Sequence, residues 1–139
     1  MDKTSAEIQA TVKVSPEKVW TYWTSPEHIV KWNSASDDWH CPRAENDLRE
    51  KGKFSYRMES KDGKEGFDFT GTYDEIEPYK RIHYTLDDGR KVSTTFEERD
   101  GSTEIVSVFE AENTFPVEMQ KAGWQAILDR FKSYAESRG

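Results

Sequence analysis

Between Ile8 and Val14 the apolar residues Ile8, Ala10, Val12 and Val14 alternate with Gln9, Thr11 and Lys13. That is the period of a strand with one buried face. Ser15-Pro16-Glu17 (a cap, a first-turn proline and a first-turn acid) predicts a short helix through Val19, Trp20 and Trp23. Ser25-Pro26-Glu27 repeats the signature and predicts a second short helix through Ile29 and Val30 to Trp32. Residues 34–42 form a polar loop, and residues 44–49 a short strand turned by Glu50-Lys51-Gly52. Alternation then resumes. Phe54, Tyr56 and Met58 mark one strand; Phe67, Phe69, Gly71 and Tyr73 mark the next, which runs to Ile76 and stops at Pro78-Tyr79-Lys80. Ile82, Tyr84 and Leu86 define another, and Val92, Thr94 and Phe96 the one after. Asp62-Gly63, Asp88-Gly89 and Asp100-Gly101 supply the turns between strands. The last strand spans residues 103–112, with Ile105 and Phe109 on one side and Val106 and Val108 on the other, so its facing stays open.

The pattern changes period in residues 114–139. Val117, Trp124, Ile127, Leu128, Phe131, Tyr134 and Ala135 recur at spacings of three and four and line one face of an α-helix. Asn113 or Thr114 can cap it, Pro116 costs nothing near its start, and Lys132 and Arg138 suit the negative end of its dipole. Some 22 residues at ~1.5 Å each make a rod of roughly 33 Å. Six strands joined by tight turns form an antiparallel meander, and the closing helix must cover its apolar face. The expected architecture is a single α+β domain over residues 1–139, about seven strands curved around one long helix.

Composition tests whether such a domain has enough to bury. Leu, Ile, Val and Phe account for only 24 of 139 residues, below the ~20% at which disorder becomes a concern. Five Trp and six Tyr restore the balance with large rings, so the interior is expected to be aromatic. The net charge of −7 argues against nucleic acid and anionic membranes as partners. No apolar run approaches a membrane span, and Met1-Asp2-Lys3-Thr4 lacks a signal peptide's apolar region. Cys41 is the single cysteine, which fits a reducing cytoplasm. The expectation is a cytoplasmic monomer or weak dimer.

Acids, an imidazole and a thiol cluster only in the loop Asp37-Asp38-Trp39-His40-Cys41. Asp38 with His40 is the one acid–base pair available for catalysis. Spaced zinc ligands are missing, as are a phosphate-cradling glycine loop, a nucleophile elbow and a dinucleotide fingerprint, so neither metal nor cofactor is expected. His28, amid charged residues on a short helix, is expected to be solvated. His83 alternates with Ile82 and Tyr84 and should face outward.

Several stretches resemble the START-like (SRPBCC) helix-grip superfamily, and within it the family named after activators of the heat-shock-protein-90 ATPase. They are Val14-Ser15-Pro16-Glu17-Lys18-Val19-Trp20, Pro26-Glu27-His28-Ile29-Val30-Lys31-Trp32, Glu45-Asn46-Asp47-Leu48-Arg49 with Gly52-Lys53-Phe54, Gly71-Thr72-Tyr73 through Glu77-Pro78, and Gly123-Trp124 to Phe131. The resemblance runs from about Ala6 to Tyr134. It implies a deep cavity between helix and sheet, used in the superfamily for lipids, polyketides and other apolar molecules, in some relatives with cyclase or hydrolase activity. It also suggests a role in stress responses. Co-chaperones of that name carry a separate N-terminal domain that binds the chaperone, which this chain lacks, so chaperone activation is not the expected role. Where the family often has a further Trp and Gly after Trp32, this chain has Asn33-Ser34, which should make the pocket mouth more polar.

Face assignment supplies the residues for such a cavity: Phe54, Tyr56, Met58, Phe69, Tyr73, Tyr84 and Phe96 from the sheet, Trp124, Ile127 and Phe131 from the helix. Trp32 and an inward-packed Trp39 belong at its mouth. Gly123, a mid-helix glycine that costs about 1 kcal/mol against alanine, suggests close approach of a backbone or ligand. Arg49, alternating with Glu45 and Asp47, is a candidate to hold a ligand's acid group, or else a surface ion pair. The same rings could equally be plain core.

Overall fold

The computed structural model describes residues 4–138, so the expectations for Met1-Asp2-Lys3 and for Gly139 lie outside the described residues. Strand β1 (Ser5–Val12) is followed by helices α1 (Pro16–Thr24) and α2 (Pro26–Trp32). Strands β2 (Trp39–Asn46), β3 (Lys53–Ser60), β4 (Gly66–Glu77), β5 (Arg81–Leu86), β6 (Lys91–Arg99) and β7 (Ser102–Glu110) come next, and α3 (Val117–Arg138) closes the chain. All neighbours pair antiparallel in the order β1-β7-β6-β5-β4-β3-β2. The sheet curls into a half-barrel around α3, a helix-grip arrangement. Register shifts between His40 and Arg43 and between Tyr73 and Glu75 add bend, as bulges do.

Local chemistry explains where the elements begin. Ser15 and Ser25 occupy the N-cap positions of α1 and α2, but neither side chain makes a capping hydrogen bond; Pro16 and Pro26 set the helix starts instead. Helix α3 is not capped as expected by Asn113 or Thr114. Its start is braced by Gln120, whose Nε2 donates to the Glu112 and Phe115 carbonyls at 3.0 and 2.7 Å. The Glu112 carboxylate in turn accepts from the Thr114 and Phe115 N–H groups.

Two strand expectations change. Trp39, His40 and Cys41 belong to β2 rather than to a loop. Pro42 cannot donate to the ladder, and the register breaks beside it, so alternation through this segment is lost. Arg49 falls beyond the strand, in the turn that closes β2 onto β3. In β7 the facing is resolved by polar residues. Thr103, Ile105, Ser107 and Phe109 are buried, with Thr103 Oγ1 donating to the Val14 carbonyl at 2.7 Å and Ser107 paired to Thr94 at 2.8 Å. Val108 is turned outward.

The core sits where α1, α2 and α3 meet the sheet. Val12, Val19, Ile105, Phe109, Phe131 and Ala135 have no accessible surface. Phe131 packs edge-on against Trp23 and Trp32, both at 4.9 Å between ring centroids, and Phe96 packs edge-on against Trp20 and Trp23 at 5.6 Å. This knot of rings supplies what the short aliphatic inventory cannot.

Candidate functional site: an aromatic cavity under the long helix

Toward its N-terminal half, α3 stands off from β3, β4 and β5, leaving a cavity of about 310 Å³. That is at the small end of ligand-sized pockets, which run from ~300 to 1,000 Å³. Ring stacking fixes its walls. Trp124 lies flat on Phe109 with centroids 4.1 Å apart and meets Phe69 edge-on at 6.0 Å. Phe54 packs against Tyr56 at 5.1 Å, Tyr73 at 5.2 Å and Tyr84 at 5.0 Å. Phe67 and Phe115, half-exposed, stand at the opening.

Gly71 is what lets these rings close up. It lies on β4 opposite Phe54 and Leu86, and a Cβ there would sit 2.7 Å from both the Phe54 ring and the Thr85 carbonyl oxygen. Gly123, by contrast, has nothing within 4 Å of where a Cβ would be and does not line the cavity. The close approach expected of it is absent. Gly123→Ala is therefore expected to stabilise the fold by about 1 kcal/mol, seen as a thermal midpoint a few degrees higher.

Of the residues expected to line the cavity, Trp32, Phe54, Tyr56, Met58, Phe69, Tyr73, Tyr84, Trp124 and Ile127 do so. Phe96 and Phe131 point inward but pack into the ring knot of α1 and α2. Trp39 is half-buried at the sheet edge, 6.1 Å from Phe67, outside the lining. Arg49 is a surface ion pair: its Nε donates to Asp47 at 2.7 Å and its side chain is 76% exposed. The cation in the wall is Arg90, which follows the Asp88-Gly89 turn. Asn33, expected to make the mouth more polar, lines the cavity, whereas Trp23, Glu112, Phe115 and Gln120 in its wall carry no signal of that role in the sequence. Thr94 and Ser107 form a hydrogen-bonded pair in the wall; Thr94 stands between Val92 and Phe96 on an inward face that alternation marks, whereas the open facing of β7 hides Ser107.

Polar groups inside are mostly satisfied. Asn46 Nδ2 donates to the Thr24 carbonyl at 2.7 Å and reaches the Tyr73 hydroxyl at 3.4 Å; the Tyr56 and Tyr73 hydroxyls are 3.4 Å apart. Burial pushes the phenols of Tyr56, Tyr73 and Tyr84 above their ordinary range. The Tyr84 hydroxyl alone among these has no hydrogen-bond partner among the described residues.

The acid–base pair considered from sequence does not serve the cavity. Asp38 is exposed, and His40 Nε2 faces Glu59 at 3.8 Å; neither lines the pocket and no hydrogen bond joins them. Cys41 is buried, its thiol directed to the Arg43 carbonyl at 3.4 Å, and burial pushes its pKa up. The neighbouring Asp37 ties the loop to α3 through Arg130, whose guanidinium holds the carboxyl below its usual range. His83 faces outward beside Glu75 at 3.3 Å. His28 is half-buried rather than freely solvated: its Nδ1 is 2.6 Å from the Tyr134 hydroxyl and its ring meets Tyr22 edge-on at 4.9 Å, at the far end of α3. No three His, Cys, Asp or Glu side chains gather as metal ligands among the described residues. None of the described helices is long and apolar enough to cross a membrane.

The sequence profile of "Activator of Hsp90 ATPase homolog 1-like protein" matches residues 13–136. The chain belongs to this AHSA1-like family. Among solved structures, it is similar to the AHSA1-like protein of Aeromonas hydrophila, with 41% identity over 98% of this chain and 94% of that one and a TM-score of 0.92. A protein from Cytophaga hutchinsonii is 48% identical over 98% and 93% of the two chains, with a TM-score of 0.81. At 18% identity, a protein from Nitrosomonas europaea covers 97% of this chain and 96% of its own with a TM-score of 0.84, a likeness of fold alone. No curated protein matches the chain. AHSA1-like membership thus establishes the START-like architecture and leaves the occupant of the cavity to its own chemistry.

Proposed function

We propose that this AHSA1-like domain binds a small, largely apolar molecule, aromatic or lipid-like, in the cavity between α3 and the sheet. The observation that carries this is the cavity of about 310 Å³ between Trp124 and the Phe54–Tyr56–Phe69–Tyr84 wall, beside a core where Phe131, Trp23 and Trp32 are packed to contact. Rings lining a cavity of that size lack the dispersion contacts that packed interiors make. A ring entering it would recover them and bury the half-exposed Phe67 and Phe115. Binding without turnover is favoured over cyclase or hydrolase chemistry because Asp38 and His40 lie outside the cavity.

The family description favours a second reading, a module that docks on a chaperone of the Hsp90 kind. The test separates the two. Amide and indole NMR of labelled protein titrated with fatty acids, flavonoids and polyketide-like aromatics should give saturable shifts at the Trp124 indole and the Phe54 and Phe69 amides. Absence of such shifts across the panel, with shifts on adding purified Hsp90, would replace the first reading by the second.

A further inference from the structure

Resting on the cavity reading above, we infer that the ligand carries a carboxylate, held by the Tyr84 hydroxyl and the Arg90 guanidinium. The inference follows from which polar groups in the wall remain unused. Tyr84 is partly buried, and its hydroxyl bonds to no described residue. Its oxygen is also not sealed in, since the only fully enclosed side-chain nitrogen or oxygen without a hydrogen bond among the described residues is Arg81 Nε. The phenol therefore ends on the cavity space. A buried hydroxyl without a partner is costly, and an acceptor arriving with the ligand removes that cost.

Arg90 is placed next to it by register. Tyr84 pairs with Val92, and the Leu86 N–H donates to the Arg90 carbonyl at 2.8 Å, so Tyr84, Leu86, Arg90 and Val92 share the inward face. Arg90's charge is felt at the Tyr84 phenol, where it works against the effect of burial. Its backbone N–H and its Nε are both committed to Asp88, at 3.1 and 2.8 Å. Its two terminal nitrogens make no hydrogen bond to a described residue, and the side chain is 23% exposed. Asp88 thus orients the guanidinium and leaves its outer edge of N–H donors for a planar oxyanion.

Apart from the second Glu112 oxygen, the remaining polar groups nearby are occupied. Gln120 is spent on both sides in bracing α3, and one Glu112 oxygen accepts from two backbone N–H groups. Glu112 is the like charge that an acid must tolerate, and those two N–H donors offset part of it. The free donors, a phenol and a guanidinium, thus outnumber the free acceptors. They select an anionic oxygen over an amine, and the small ring-walled volume selects an aromatic or short-chain carboxylic acid.

Matched acid and methyl-ester pairs (2-naphthoate, cinnamate, decanoate) titrated at pH 7 test this, read by Trp124 indole shifts and calorimetry. Wild type should bind at least one acid about tenfold or more tighter than its ester. Arg90→Gln should abolish that preference and leave ester affinity unchanged. Tyr84→Phe should weaken the acid several-fold without lowering the thermal midpoint, because the free protein loses no hydrogen bond. Equal binding of acid and ester by wild type, or equal loss of both in Arg90→Gln, overturns the inference while leaving the cavity reading intact. Failure of every pair to give saturable shifts overturns both.

Discussion

Phe131→Ala is expected to lower the stability of this domain by about 3–5 kcal/mol. Phe131 is completely enclosed, on the face of α3 that meets Trp23 of α1 and Trp32 of α2. Truncation removes the transfer energy of the ring and leaves a hole that the stiff indoles around it cannot collapse into. Each edge-on pair adds about 0.5–1.5 kcal/mol beyond its area. Since small domains have only about 5–15 kcal/mol in total, the loss is about a fifth or more of what holds the fold. Denaturant unfolding should show a lower midpoint at unchanged slope, the mark of altered stability with an intact native state. Ile127→Ala is the internal comparison: Ile127 is only half-buried and borders the cavity, so its truncation should cost less. A cost below about 1 kcal/mol for Phe131 would mean that the α1–α2–α3 ring knot is not the structural core, and the division between core and cavity would fall with it.

That division is where sequence legibility ran out. The alternation in residues 54–58, 67–73 and 82–86 and the three-four spacing after Val117 specify strands, helix and inward faces, because each rests on one-dimensional periodicity. Periodicity says that Phe96, Phe131, Tyr84 and Trp124 all point inward. It does not say that α1 and α2 fill the space in front of the first two and not the second two. Residues 34–42 read as a loop because they are polar, and Pro42 with the register break beside it removes the alternation that would mark Trp39 as strand; the facing of β7 is hidden because Thr103 and Ser107 are buried polar residues. Arg49 is the cation that alternation singles out, and no pattern in the sequence points to Arg90. The first lies in an exposed turn with Asp47, whereas the second follows a turn at the cavity end of β6. Glycine misled in a like manner: cost in a helix singled out Gly123, while the glycine packed on the Phe54 ring of the cavity wall, with no room for a Cβ, was Gly71, in mid-strand.

Alkaline pH should unfold the domain steeply, and the reason lies in the same wall. Tyr56, Tyr73 and Tyr84 all have phenols raised above their ordinary range by burial, so the native state retains three protons that the unfolded chain, with phenols near ~10, gives up. Below about pH 10 both states are protonated and these groups leave stability independent of pH. Above it the unfolded state binds fewer protons, and stability falls by up to about 1.4 kcal/mol per pH unit for each phenol, or about 4 for the three. Denaturant midpoints measured from pH 8 to 11.5 should be flat and then drop. Tyrosinate absorbance near 295 nm for these three should rise only together with loss of the near-ultraviolet circular dichroism. Tyr84→Phe is the control: it should make the slope shallower by about a third of the phenol contribution. Full ionisation of all six tyrosines near pH 10 with the fold intact would mean that bulk water reaches the phenols. A cavity that wet would bind an apolar ring weakly, and the stacking of Trp124 on Phe109 would then be better understood as the floor of an open groove.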